Sequence, residues 1–421
     1  MAVPSPQRSA SRVVVVFAVV VAALGYFVDI YDLVLFSILR VPSLTSLGVA
    51  GDDLVRVGAW LLNIQLVGMI AGGVVWGILG DKRGRLTVLF SSIVLYSLAN
   101  LLNAFATSVP QYAVLRFLAG FGLAGELGAG VTLVCELLDT KRRGIGTTII
   151  ATVGLAGAVF AGLVAERLLA WDVDRGWRTA YGIGGAMGIV LLALRVGVLE
   201  SGLFNNVKEV DVSRGDVRML LWPPERLRRF VLVVLVGMPI WYAGGVLFVF
   251  AKEIGTALGL SPPPSGGNTI MWAYCGVVFG DLTSGILSQV LRRRRIVIAI
   301  FLASFAGSVA LLLTFGGRSL PTFYGLMCLV GFTTGYWVLF VTVASEQFGT
   351  NLRATVTTSA PNFVRGTAVV ITQVWVLLRA HTSLTLPNAT LGLGLACISI
   401  GLVSLAFLRE TFHRDLDYVE R

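Results

Sequence analysis

The chain consists of long apolar blocks separated by short polar segments, and this pattern carries the fold prediction. Each block holds about 20 residues or more, enough for a helix to cross the ~30 Å hydrocarbon core of a bilayer. The period-two alternation of outer-membrane barrel strands is absent from the sequence. We number the blocks as spans 1 to 12: 13–40, 56–79, 86–105, 111–138, 145–170, 180–199, 230–256, 269–290, 295–315, 320–347, 355–380 and 388–409. The pattern predicts an all-α integral membrane protein with twelve transmembrane helices.

Composition supports a membrane protein and gives no sign of an enzyme. Of the 421 residues, 56% are hydrophobic and 13% are charged, whereas about 25% of a soluble protein is charged. The four cysteines lie in or at the ends of spans without metal-ligand spacing, and both histidines fall at span ends. We therefore expect packed thiols, no metal, no cofactor and no catalytic nucleophile–base constellation.

The net charge of +10 is unevenly distributed between the two sides of the predicted bundle. With both termini on one side, that side carries about two thirds of the lysines and arginines. The positive-inside rule assigns this side to the cytoplasm. We expect a multi-pass protein of the plasma (inner) membrane with both termini cytoplasmic, and a lipid bilayer rather than nucleic acid around it.

A charged segment occurs twice, 210 residues apart. "CELLDTKRRGIGTT" (135–148) returns as "SEQFGTNLRATVTT" (345–358), and "GILGDKRGR" (77–85) returns as "GILSQVLRR" (285–293) at an offset of 208. Parallel repeats of this kind are a known architecture of secondary transporters. The predicted organisation is an N-terminal tail (1–12), a six-helix half (13–199), a cytoplasmic linker (200–229), a second six-helix half (230–409) and a C-terminal tail (410–421).

These motifs resemble those of the major facilitator superfamily. "GILGDKRGR" resembles its loop 2–3 signature, with Gly77, Asp81, Gly84 and Arg85 at the characteristic places, and "RFLAGFGLAGELGAG" (116–130) resembles its fourth-helix signature. The pair Glu136 and Arg143 resembles one in the sugar-porter and metabolite–proton symporter branches. The resemblance implies the major facilitator fold, with spans 1, 4, 7 and 10 lining a central cavity and spans 2, 5, 8 and 11 beside it.

Acidic and basic residues at the cytoplasmic span ends of both halves could form a network that latches the cytoplasmic side when it is closed. The alternative is ordinary solvated loop charge that follows the positive-inside rule. The candidate gate residues are Gly77, Asp81, Gly84, Arg85, Glu136, Arg143, Glu200, Arg293, Glu346, Arg353 and Glu410.

Three carboxylates within spans are candidates for proton coupling, because an ionisable group inside the membrane costs roughly 2.5–3.5 kcal/mol on insertion scales. Asp29 and Asp32 lie three residues apart on span 1, where mutual repulsion in a low dielectric favours binding of a proton. Glu126 lies at the middle of span 4. The alternatives are an ordinary hydrated carboxylate for Asp32 and a structural hydrogen bond between helices for Glu126.

Candidate substrate-binding residues combine fixed charge with aromatic rings. Arg365, near the middle of span 11, suits a carboxylate or phosphate, because a guanidinium binds such groups bidentately. It could instead neutralise Asp281, and Arg116 could serve helix packing. The aromatic side chains could stack on a substrate or simply pack. The set is Arg365, Arg116, Asn362, Asp281, Tyr31, Trp241, Tyr242, Tyr336 and Trp337.

These observations predict a transporter that moves a small organic solute, expected to be anionic, together with protons by alternating access. We expect a monomer whose partners are its substrate, protons and lipid. An exporter of amphipathic drugs or lysolipids on the same scaffold is the alternative, since fold does not fix function. A membrane sensor that binds its ligand without moving it is a third class, but the sequence shows no signalling domain.

Overall fold

The computed structural model describes residues 12–83, 85–125, 140–200 and 222–412. Their regular structure is helical, and the helices coincide with the predicted spans. Ten are long and apolar enough to cross a membrane, and span 3 contributes a shorter apolar helix. The uninterrupted helices are Arg12–Ser46, Asp53–Arg83, Arg85–Asn103, Thr140–Trp171 and Val173–Glu200 for spans 1, 2, 3, 5 and 6, then Gly266–Leu291, Arg294–Phe315, Thr350–His381 and Leu386–Phe407 for spans 8, 9, 11 and 12. The helix Val109–Leu123 begins span 4, and residues 126–138 of that span lie outside the described part of the chain.

Spans 7 and 10 are interrupted, which corrects the prediction of continuous helices there. Span 7 runs through Pro224–Tyr242, a π-helical turn Ala243–Phe248 and a short helix Ala251–Ala257. Span 10 consists of two helices, Leu320–Thr334 and Trp337–Glu346. The break at Gly335 lies directly on the backbone of span 8, where an added Cβ would come within 2.6 Å of Gly280. Hydropathy alone does not reveal such an interruption, because the broken segment remains apolar.

Glycines at matching positions bring two pairs of helices into close contact, one pair in each half. A Cβ on Gly68 or Gly72 of span 2 would overlap backbone carbonyls of span 4. A Cβ on Gly276 or Gly280 of span 8 would overlap backbone carbonyls of span 10 in the same way. The two sets are related by the 208-residue offset of the sequence repeat. Small residues allow such close approach of membrane helices, so the repeat extends to helix packing.

One face of span 8 presents large apolar side chains to the exterior. Phe279, Ile286 and Val290 are 63%, 66% and 71% exposed. They recur at helical spacing, while the opposite face carries buried Ser284 and Ser288. An exposed apolar stripe of this kind suits contact with lipid.

The two halves are joined at the end that the positive-inside rule predicts as extracytoplasmic, which we call the outer end. The arginine-rich opposite end is called the inner end. Among the described residues, four polar contacts connect the halves on the outer side. They are Arg40–Glu253 (2.6 Å), Asp52–Arg379 (2.6 Å), Asn63–Thr372 (2.7 Å) and Glu166 to the backbone nitrogen of Gly267 (3.0 Å). The structure is therefore closed on its outer side.

Candidate functional site

Arg365 forms the centre of the candidate site. Its side chain is 3% exposed, and Nη1 donates to Oδ1 of Asn362, one helical turn earlier on span 11, at 3.3 Å. The guanidinium carbon lies 5.9 Å from the ring centroid of Trp337, within cation–π range. Nε is buried and has no hydrogen-bond partner among the described residues. The guanidinium therefore keeps a donor for an added ligand.

Residues of both halves surround this guanidinium. Tyr26 and Asp29 of span 1 and Tyr274 of span 8 lie close enough to interact with it electrostatically. Asp29 is itself 3% exposed. The ring of Tyr26 covers Gly154 of span 5, where a Cβ would overlap it. We call the set Tyr26, Asp29, Tyr274, Trp337, Asn362 and Arg365 the central cluster.

Asp281 lies close enough to Tyr26 of the central cluster to interact with it electrostatically, but its carboxylate is hydrogen-bonded to span 10. Its Oδ1 accepts a hydrogen bond from the backbone nitrogen of Val338 at 3.1 Å, at the start of the second helix of span 10. A carboxylate at a helix N-terminus satisfies an orphan N–H and complements the helix dipole. Within the described part of the chain no ion pair joins Asp281 to Arg365. Asp281 thus stabilises the interruption of span 10.

Arg116 is bound inside the N-terminal half. Its Nη1 donates to the hydroxyl of Tyr181 at 3.2 Å and its Nη2 to Oδ1 of Asn100 at 2.9 Å. The Tyr181 hydroxyl lies 2.6 Å from that of Tyr112, which approaches Ser43 at 3.4 Å. This buried network connects spans 1, 3, 4 and 6. Such a network favours the packing interpretation of Arg116 over substrate binding.

Asp32 and Tyr31 also face the interior of the N-terminal half. Oδ1 of Asp32 lies against Gly184 of span 6, where a Cβ would overlap it. The Tyr31 hydroxyl donates to the carbonyl of Ala180 at 3.0 Å. Asp29 and Asp32 are three residues apart, but Asp29 interacts electrostatically with Arg365 whereas Oδ1 of Asp32 lies against span 6.

Within each predicted aromatic pair, the two adjacent rings lie on different faces of the helix and therefore in different surroundings. Tyr242 donates to the carbonyl of Thr390 at 2.7 Å, and Tyr336 donates to that of Val236 at 3.1 Å. Both rings are fully buried within the C-terminal half. Trp241 is only partly buried, and Trp337 stands beside Arg365. Of the two pairs, the structure brings Trp337 to the central cluster.

Sequence reasoning missed Tyr26 and Tyr274. Tyr26 precedes Asp29 by three residues and Tyr274 precedes Asp281 by seven, so each shares a helix face with a residue that was selected. Searching that face for tyrosines would have found both, because aromatic hydroxyls are natural partners of buried charge.

Comparison with known proteins identifies the family. The model of the Major Facilitator Superfamily matches residues 15–372. The chain belongs to this superfamily. It is 26% identical to the niacin transporter of Acinetobacter baylyi, over 70% of this chain and 72% of that protein. It is also 26% identical to the 3-(3-hydroxy-phenyl)propionate transporter of Escherichia coli, over 72% of each.

The fold agrees with a solved member of the superfamily. The xylose transporter of Escherichia coli in an inward-open conformation superposes with a TM-score of 0.73 at 16% identity, covering 96% of this chain and 98% of that one. This superfamily member is thus a multi-pass membrane transporter, and its relatives are named as transporters rather than enzymes.

The predicted inner gate is described in its C-terminal half. Glu346 is buried and pairs with Arg294 at 2.7 Å, whereas Arg293, which the sequence suggested for this role, is exposed. Glu410 accepts hydrogen bonds from the backbone nitrogens of Arg294 (3.0 Å) and Arg295 (3.1 Å). An added Cβ on Gly77 would meet open space.

The remaining gate residues and one coupling candidate cannot be compared in the same way. Gly84, Glu126 and Glu136 lie outside the described residues. For five others the description covers the backbone alone: Asp81, Arg85, Arg143, Glu200 and Arg353. A latch built by both halves at the inner end stays a prediction.

Proposed function

We propose that this transporter carries a small aromatic carboxylate together with a proton. The observation that supports the proposal is the position of Arg365, a buried guanidinium with a free Nε–H beside the indole ring of Trp337. A guanidinium binds a carboxylate bidentately, and an indole stacks on an aromatic ring. Two relatives are named after niacin and 3-(3-hydroxyphenyl)propionate, and each of these compounds has a carboxylate and an aromatic ring.

Asp29 supplies the proposed coupling. In its ionised form it competes with a substrate carboxylate for the positive field of Arg365. A proton on Asp29 removes that competition, so proton binding strengthens anion binding. By linkage, the anion strengthens proton binding to the same extent. One proton moving with one monovalent anion would make the cycle electroneutral.

Alternating access requires the outer contacts between the halves to break. Arg40 and Glu253 form the more enclosed of the two ion pairs among them, since the arginine side chain is 1% exposed and Nη2 reaches both carboxylate oxygens. The guanidinium also lies 4.6 Å from the ring centroid of Phe250, next to the interruption of span 7. Opening the outer side would then involve movement of the short helix Ala251–Ala257 relative to span 1.

The test is transport by purified protein in liposomes that contain a trapped pH dye. We expect aromatic carboxylates to acidify the lumen and sugars, amino acids and cationic amphiphiles to leave it unchanged. Arg318→Gln, which alters an arginine at the outer end away from the cluster, serves as the control for Arg365→Gln. A proton-driven exporter exchanges its drug for protons, so alkalinisation of the lumen by a cationic amphiphile, beyond that in protein-free liposomes, would support the drug-exporter alternative. Substrate entry without a pH change would contradict proton coupling.

A further inference from the structure

An open groove of about 720 Å³ lies between spans 9 and 12 at the inner end. Its floor is apolar and is formed by Ile296 and Ala299 of span 9 together with Leu402 and Leu405 of span 12. Each pair covers about one helical turn, so the floor extends about 5 Å along the two helix axes, a length that a few methylene groups of an acyl chain would cover. The shape suits an extended hydrocarbon chain lying parallel to the helices.

Three arginines form the rim of this groove. They belong to the run 292–295, in which Arg294 is directed inward and pairs with Glu346. Arg292 and Arg293 are exposed, and Nη2 of Arg295 donates to the carbonyl of Ala406 at 2.9 Å. Nε of Arg295 is buried and lacks a hydrogen-bond partner among the described residues. The accessible donors of the rim are therefore those of the exposed Arg292 and Arg293, with Arg295 partly buried beside them.

Glu410 is the one acidic side chain among the lining residues, and its oxygens are already occupied. Oε1 accepts from the backbone nitrogens of Arg294, Thr411 and Phe412, and Oε2 accepts from that of Arg295. Burial alone would raise the pKa of Glu410, but these four N–H donors outweigh it and lower the pKa. The carboxylate is ionised and caps span 9, while the three arginines leave the rim with a net positive charge.

The geometry points to a binding site for an anionic phospholipid of the inner leaflet. The phosphate would contact Arg292, Arg293 and Arg295, and an acyl chain would lie on the apolar floor. Basic pockets between membrane helices on the cytoplasmic side recognise lipid headgroups in this way. A soluble anion would use the rim and leave the floor exposed, so the combination of both surfaces favours a lipid.

Native mass spectrometry of the full-length protein in detergent, titrated with phosphatidylglycerol or phosphatidylcholine, tests this site. We expect a clear preference for phosphatidylglycerol. The double variant Arg293→Gln/Arg295→Gln should weaken that binding about 25-fold, since each arginine near an anionic surface contributes a factor of about five. Leu402→Trp fills the floor without changing charge, and it should also weaken binding.

The control is Arg228→Gln/Arg409→Gln, which removes two arginines from a neighbouring, smaller groove of about 230 Å³ at the same end. It should leave the affinity unchanged. Equal binding of the two lipids, or equal losses in the two double variants, would refute the site. Displacement of phosphatidylglycerol by an equal concentration of glycerol 3-phosphate would identify a site for free anions and would also refute it.

Discussion

Arg116 in the N-terminal half and Arg365 in the C-terminal half are both buried within spans, and they differ in what surrounds them. Arg116 donates to Tyr181 and Asn100, both within its own half. The hydrogen bond described for Arg365 goes to Asn362 on its own helix, at the longer distance of 3.3 Å. Burial of charge in a membrane span suggests function by default. We propose that the partners of the charge, rather than its depth, distinguish an arginine that serves packing from one that binds substrate.

The neighbours of Arg116 come from one half of the molecule, whereas those of Arg365 come from both halves. The network of Arg116 connects spans 1, 3, 4 and 6 of a single bundle, so movement of one half against the other leaves it intact. Arg365 lies on span 11 and faces Tyr26 and Asp29 of span 1. A group placed between halves that move in alternating access experiences a different field in each state. That position is the one a coupled binding site requires.

Replacing Arg365 by Gln should have the largest effect on transport. Removing one partner of a buried charged contact costs about 2–5 kcal/mol, so uptake of an aromatic carboxylate should fall at least about 30-fold. The thermal unfolding temperature should fall less than in Arg116→Gln, because one side-chain hydrogen bond is described for Arg365 and two are described for Arg116. Radiolabelled uptake and unfolding in detergent measure the two quantities. Unchanged uptake would remove Arg365 from the binding site.

Arg116→Gln should produce the opposite result. Two hydrogen bonds from a charged group are lost, and removing each costs about 1.5–3 kcal/mol, which should clearly lower the unfolding temperature. The KM of the folded fraction should stay close to that of the unaltered protein. If Arg116→Gln increased KM without lowering the unfolding temperature, Arg116 would be a substrate ligand, and the proposed difference between the two arginines would be wrong.

The fold was predictable from the sequence, because apolar blocks of membrane length and an internal repeat determine the helix count and the pairing of halves. The site was predictable only as a set of residue types. Hydropathy placed Asp29, Asp32 and Arg116 inside spans, but helix rotation decides that Asp29 lies close enough to Arg365 to interact with it electrostatically while Asp32 lies against Gly184. Sequence spacing gives relative angles along one helix and leaves its orientation toward other helices undetermined.

The two aspartates of span 1 test whether proton coupling depends on the residue near Arg365. Asp29→Asn cannot release a proton, so substrate should no longer drive a pH change, while exchange of labelled for unlabelled substrate should continue. Asp32→Asn should retain the substrate-driven pH change because its side chain faces span 6. A trapped pH dye and a counterflow assay distinguish the two. Loss of coupling in Asp32→Asn alone would transfer the coupling role to that residue.

The smallest effects are expected at the two adjacent aromatic residues where span 10 is interrupted. Trp337→Phe keeps a ring beside Arg365 but weakens the cation–π contact by about 0.5–1 kcal/mol, which should raise KM about two- to fivefold. Tyr336→Phe removes the hydrogen bond to Val236 at a cost of about 1 kcal/mol in stability. It should leave KM unchanged, because that ring is fully buried in the C-terminal half. KM values from initial uptake rates, paired with unfolding temperatures, test both. If Tyr336→Phe changed KM as much as Trp337→Phe, both side chains at the break would affect substrate binding. The partners of a buried side chain would then not distinguish a binding residue from a packing residue at these two adjacent positions.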